Sequence, residues 1–168
     1  MPATLISGAI SLRDVTMETH LAQRMVGIGG GVHATATICD GAGNVLHNTP
    51  IRTNGPGGHV PNWIYNEANP PVTPQRRGDA ELKVLADIEQ QMANLVAHIY
   101  YVYIMSTHGP CAGCRQCIRS FANHPPHIAA GLRGTTVFYT HEGANLFGGQ
   151  NGYGEAGRGA AHFMKQVG

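Results

Sequence analysis

The sequence predicts an α/β fold: three layers, α/β/α, around a mixed sheet of about five strands. Three observations carry this. Residues 98–105 and 135–140 are short, nearly continuous apolar and aromatic runs, as expected of central strands covered on both faces. Residues 32–39 alternate with the two-residue period of a strand. Asp79 to Val96 and Cys111 to Ala122 repeat at helical spacing between and after these strands. The resulting order, ββ-α-β-α-β, is that of a sheet with helices on its faces.

At 168 residues the chain suits one domain. It divides into an N-terminal helical segment (1–31), a core (32–141), and a Gly-rich loop with a C-terminal helix (142–168). In the first segment, Leu12 to about Val26 reads as a helix, with Leu12, Val15, Leu21, Met25 and Val26 as candidate buried positions. Gly27–Gly31 ends it. Val32, Ala34, Ala36 and Ile38 then alternate with His33, Thr35, Thr37 and Cys39. Asp40–Asn44 is a turn and Val45-Leu46-His47 opens a second strand, so residues 32–53 read as a β-hairpin.

Residues 54–78 form a long irregular connection rich in Gly, Pro and Asn. Loops of that length in a small domain are usually functional or disordered. This one carries Trp63 and Tyr65, flat surfaces of the kind that stack on a base. From Asp79 the pattern turns helical. Leu82, Leu85, Ile88, Met92, Leu95 and Val96 share a face, with Lys83, Asp87, Glu89 and Gln90 off it. His98–Met105 is the expected central strand, Ser106–Pro110 a short loop, and Cys111 to about Ala122 the next helix. Thr135–Thr140 is another strand, and a short helix near Ala156–Gln166 closes the chain.

Composition narrows the function classes. Charged residues are 12% of the chain and the formal net charge is +1, which argues against a strongly basic nucleic-acid binder. A local groove is still open to Arg52, Arg76, Arg77, Arg115, Arg119, Arg133 and Arg158. The 23 glycines are about twice the usual share, and many of them sit in Gly27–Gly31, Asn54–Gly58 and Phe147–Gly159. No run of about 18 apolar residues indicates a membrane span. The start of the chain lacks the basic n-region of a signal peptide. Cys39 stands apart from Cys111, Cys114 and Cys117, a clustering that suggests metal binding over disulfides.

The chemistry concentrates in two motifs. Pro110-Cys111-Ala112-Gly113-Cys114 offers two thiolates three residues apart, suited to one soft ion, usually zinc. Asp79-Ala80-Glu81 offers a third ligand and, two residues on, a carboxylate able to move protons. Both fall at helix starts, where unpaired N–H groups and the positive dipole end favour thiolates. Each part also has an ordinary reading. Asp79 is a favoured N-cap, Glu81 a common first-turn acid, and a lone pair of cysteines serves redox as well as metal chemistry. Their order, spacing and shared context favour a zinc site for hydrolytic deamination, whose signature is H-x-E…P-C-x-x-C. Here Asp stands where that signature has His. Cys117 extends the run, but Ser120 replaces the fourth cysteine of a ferredoxin-type cluster, so Cys117 reads as a small buried residue beneath the site.

On these residues the chain resembles the cytidine deaminase-like superfamily over about residues 32–141. Within it, the Asp-Ala-Glu-x-Lys stretch at 79–83 is similar to deaminase domains of bacterial polymorphic toxins, some of which carry Asp at the His position. The SsdA-like branch acts on cytosine in single-stranded DNA. The resemblance implies Zn2+ as cofactor, Asp79, Cys111 and Cys114 as its ligands, and Glu81 as proton shuttle. It implies Pro110 close to the exocyclic amine, and Asn54 as the residue that holds the target sugar. His108 stands where several relatives stack an aromatic on the base, and as a loop residue it equally suits solvent. Trp63, Tyr65, Phe121, Tyr139 and Phe147 are candidate stacking groups. An Asp ligand makes the zinc set one charge more negative than a His ligand, so its water is expected to ionise at higher pH.

The leading expectation is therefore zinc-dependent deamination of cytosine to uracil in single-stranded DNA, favoured over RNA. The enzyme would be the toxic domain of a secreted bacterial effector acting in the target-cell cytoplasm, with a cognate immunity protein as partner and no membrane. The alternative is deamination of RNA or of free nucleosides or nucleotides. A structural zinc module is a third reading, weakened because such sites are usually closed by four Cys or His ligands.

Overall fold

The computed structural model describes residues 3–4, 11–55, 78–95, 99–108, 112–141 and 161–166. Helix α1 (Leu12–Arg24) starts at a capping box. The Ser11 hydroxyl accepts the Asp14 N–H, and the Asp14 carboxylate accepts the Ser11 N–H, each at 3.0 Å. Strand β1 (Ala3–Thr4) precedes it, so the N-terminal segment is not purely helical. Strands β2 (His33–Cys39) and β3 (Val45–Asn48) form the expected hairpin. At its turn the Asp40 carboxylate accepts the N–H groups of Ala42 and Asn44, both at 2.9 Å. Pro50 has no N–H to give the ladder. Pairing with β2 resumes beyond it as the two-residue strand β4 (Arg52–Thr53).

Helix α2 (Ala80–Met92) leads to strand β5 (Tyr100–His108), then helix α3 (Ala112–Asn123). A short helix α4 (Pro125–Ala130), absent from the sequence expectation, follows. Its signals were present: Pro at its first turn and Gly131, at φ 122°, just past its end. Strand β6 (Leu132–His141) and strand β7 (Ala161–Gln166) complete the sheet.

Among the described residues the sheet has seven strands in the order β1-β7-β6-β5-β2-β3, with β4 also on β2. β5, β6 and β7 are mutually parallel, while β2 runs antiparallel to β5. The mixed α/β/α sandwich is as expected, and the additions to the expected five strands are short or terminal. The expected C-terminal helix near Ala156–Gln166 is overturned, because residues 161–166 form β7. There a six-residue run extends the sheet beside β6, and pairing of its backbone outweighs weak local propensity.

Each face of the sheet has its own core. Ala34, Ala36, Ile38, Val102, Ile104, Val137 and Tyr139 pack against Leu82, Leu85 and Ile88 of α2 and Cys117, Ile118 and Phe121 of α3. Cys39, Tyr103, Met105 and Phe138 pack on the other face against Met17 and Leu21 of α1. β2 is thus buried on both faces, and its alternation separates two cores instead of core from solvent. Helix α1 presents only a narrow apolar stripe. Leu12 and Val26 are 82% and 80% exposed, and Val15 is exposed too, because they lie at the helix ends or off that stripe. Among the described residues, no helix is long and apolar enough to cross a membrane.

Candidate metal and proton-transfer site

The C-terminal ends of β5 and β6 share one edge of the sheet with the N-terminal end of β2, since Ala34 pairs with Ser106 and Ser106 with Tyr139. The starts of α2 and α3 come together at this edge. Two helix N-termini, with their unpaired N–H groups, therefore converge on one point.

Asp79 occupies the N-cap position of α2, and its backbone carbonyl accepts the N–H groups of Leu82 and Lys83 at 3.1 and 3.2 Å. Its side chain makes no capping bond. Instead Oδ2 accepts from the Cys114 Sγ, which reaches it from the first turn of α3 at 3.0 Å. The Glu81 carboxylate joins them. One ligand-capable atom from each of Asp79, Glu81 and Cys114 lies within 4.8 Å of the others. All three are nearly buried: Asp79 is 9% exposed, Glu81 4% and Cys114 1%. Asp79 is thus not the ordinary N-cap that the sequence also allowed.

The cap comes from elsewhere. Asn54 Oδ1 accepts the Ala80 N–H at 2.7 Å. It belongs to four consecutive residues that fasten the end of the hairpin to α2. Arg52 pairs with Asp87 through two bonds of 2.7 Å. The Thr53 carbonyl accepts from Lys83 Nζ at 2.8 Å. The Gly55 N–H donates to the Gly78 carbonyl at 3.0 Å. A Cβ at Gly78 would lie 2.5 Å from the Gly55 carbonyl oxygen, so this crossing demands glycine. Lys83, expected off the packed face, is buried because this contact draws it under β4.

Ser106 was missed by sequence reading. The expected loop at Ser106–Pro110 is strand as far as His108, because pairing with β2 and β6 extends β5. Ser106 is fully buried and its hydroxyl donates to Glu81 Oε1 at 2.9 Å. The available signal was a polar residue ending an apolar run. His108 lies two residues on, on the same face by strand alternation, and is half-buried at the sheet edge. Its Nδ1 is 3.2 Å from the Thr107 hydroxyl.

Other expectations meet different outcomes. Pro110, Cys111, Trp63, Tyr65 and Phe147 lie outside the described residues. Phe121 and Tyr139 are fully buried in the core and offer no face for stacking. Arg115 is fully buried, with its guanidinium 5.5 Å from the Tyr139 ring centroid, so it lines no surface groove. Cys117 is fully buried in the core, as expected of a small packed residue.

The donor set fits zinc. A cysteine sulfur and carboxylate oxygens at two helix starts are ligands this ion takes, and a site used for hydrolysis keeps three protein ligands and an open position. The structure brings Asp79 and Cys114 together as candidate ligands, with the Glu81 carboxylate beside them.

Two crystal structures are similar to this chain. The dCMP deaminase from the cyanophage S-TIM5 in complex with dCMP and dUMP aligns with TM-score 0.35 and 17% identity, covering 82% of this chain and 86% of that one. The apo form of the same enzyme aligns with TM-score 0.34 and 20% identity, covering 80% and 86%. The sequence matches no protein-family model and no curated protein.

Proposed function

We propose that this chain is a zinc-dependent deaminase that converts cytosine to uracil in single-stranded DNA. The observation that carries this reading is the Asp79 carboxylate. It leaves the N-cap it occupies, meets Cys114 from the neighbouring helix start, and has Glu81 within the same 4.8 Å group. A helix-capping aspartate has no reason to do this, whereas a ligand pair does.

Asp79 and Cys114, with Cys111 from the same motif, would hold the ion. When bound it would supply a Lewis acid that lowers the pKa of a water, less far with the Asp79 carboxylate as ligand than with a neutral His. Glu81 would accept one proton as the water oxygen attacks C4 and give it to the ring nitrogen. It would then take the proton remaining on that oxygen and deliver it to the departing amine, so cytosine and water yield uracil and ammonia. Burial of Glu81 excludes competing solvent from this relay. Asn54 has its Oδ1 on Ala80, which turns its amide N–H groups outward as donors for an acceptor on the sugar. His108, at the end of β5, would border the base.

Single-stranded DNA is preferred as substrate because Asn54 is exposed at the sheet edge and the connection from 54 to 78 carries Trp63 and Tyr65, residues suited to stacking on unpaired bases. In keeping with the resemblance to toxin domains, the cellular setting we infer is a secreted effector that acts in the target-cell cytoplasm and is neutralised by an immunity protein. A free nucleotide is the second reading, favoured by the near-neutral charge of +1. Salt distinguishes them, since strand binding weakens steeply with ionic strength through counterion release and free-nucleotide turnover does not.

The test is deamination of a fluorescent single-stranded oligonucleotide containing one cytosine, with zinc-loaded wild type beside Glu81→Ala. Uracil from the wild type alone supports the proposal. Turnover of dCMP without turnover of the strand moves the assignment to the second reading. No turnover of either overturns it.

A further inference from the structure

We propose that Ser106 is a positioning residue that fixes the Glu81 carboxylate for proton transfer. The inference rests on the deaminase reading of the site. It concerns one residue of β5 that the sequence motifs do not include.

The β5 positions facing α2 and α3 are Val102, Ile104, Ser106 and His108. The first two are core residues. Ser106 is fully buried, between Ala34 of β2 and Tyr139 of β6 in the same row of the sheet. A hydroxyl in such a place is costly unless bonded. An alanine, like Ala34 beside it, would fill the row without that cost. The hydroxyl proton goes to Glu81 Oε1 at 2.9 Å.

The Glu81 side chain has three rotatable bonds and leaves the first turn of α2, and the Ser106 hydroxyl narrows the orientations that its carboxylate takes. With Oε1 held on the strand, the carboxylate plane is set and proton transfer falls to Oε2. The strand is a rigid element, and a group held by one performs proton transfer from a preformed geometry. Ser106 does not touch substrate in this scheme and acts only through Glu81.

The experiment compares zinc-loaded wild type, Ser106→Ala, Ser106→Thr, Glu81→Gln and the double variant Glu81→Gln/Ser106→Ala. Steady-state kcat and KM are measured on the single-cytosine strand, with bound zinc and Tm measured in parallel. For Ser106→Ala we expect kcat to fall roughly 10- to 100-fold, with KM and zinc content nearly unchanged. Ser106→Thr, which keeps the hydroxyl, recovers most of the loss. In the Glu81→Gln background, Ser106→Ala has no further effect on the residual rate, because the two residues act as one unit.

A folded Ser106→Ala with wild-type kcat overturns the inference. So does a loss confined to KM or accompanied by loss of zinc, or one that adds in full to that of Glu81→Gln. The double variant decides the matter even if Ser106→Thr packs poorly. A wild type that turns over neither the strand nor dCMP overturns the functional reading and this inference with it. A wild type matched by Ser106→Ala overturns this inference alone.

Discussion

Asn54 caps a helix to which it is not joined. Its Oδ1 accepts the Ala80 N–H at 2.7 Å, one residue after Asp79, whose side chain faces Cys114. Removing this bond should therefore affect stability and metal retention together. We expect Asn54→Ala to cost about 1 kcal/mol, the usual value of a lost cap, and to weaken zinc retention as the start of α2 that carries Asp79 loses its tie to the hairpin. Urea unfolding and a chelator titration check the two effects. An Asn54→Ala protein that keeps wild-type stability would show that the bond contributes nothing.

Glu81→Gln preserves an acceptor oxygen for Ser106 but removes the base. Turnover should fall by about 10²- to 10⁴-fold, the range of a lost general acid–base group. Zinc content and Tm should stay near wild type. Activity comparable to wild type would remove Glu81 from the reaction.

On the proposed reading, zinc would bind a site that exists only in the folded chain and would stabilise that chain by mass action. Chelation should lower the Tm of the wild type and leave Asp79→Ala and Cys114→Ala unaffected, because neither retains the ion. Thermal melts with and without chelator provide the measurement. An identical chelator shift in the wild type and in both variants would place zinc elsewhere.

Stability should decline on the alkaline side. Burial pushes the Cys39 thiol from 9.0 up to about 12, and burial likewise pushes the Tyr100 hydroxyl from 10.0 up to about 12. Both hold their protons more tightly folded than unfolded. Their stabilising contribution is complete below the unfolded values and is lost as pH rises through the window to about 12. Unfolding free energy measured from pH 8 upward should begin to fall near pH 9, and Cys39→Ala should delay that onset towards pH 10.

Much of this fold is legible in the sequence because the core strands are dense. The runs around Val102–Ile104 and Thr135–Tyr139 are apolar enough to be recognised without their neighbours. So are the hairpin turn at Asp40 and the helix from Asp79. Strand β7 was not legible, since residues 161–166 have no decisive pattern of their own and are strand because β6 offers an open edge. Leu12, Val15 and Val26 misled for the opposite reason: periodicity marks an apolar face but not how much of it a short helix end will bury.

The site divides in the same way. Asp79, Glu81 and Cys114 are legible because helix starts and fixed spacings are local features. Ser106 and the capping role of Asn54 are not, since both act across about 25 residues of sequence, on partners that only the packing of β5 and β4 against α2 brings near. Lys83 shows the same limit. A lysine on a helix is ordinarily solvated, and its burial follows from the Thr53 carbonyl waiting above it.

The crossing of Gly55 and Gly78 works like a drawstring. It draws the two ends of the intervening chain, residues 56–77, to a single knot, 3.0 Å across and immediately beside Asn54 and Asp79. Whatever is threaded through that knot enters and leaves at the same point, so its length and composition can change without altering how Asn54 meets Ala80. On the proposed reading, exchanging this stretch of sequence would then alter substrate preference while Asn54, Asp79 and Glu81 keep their places.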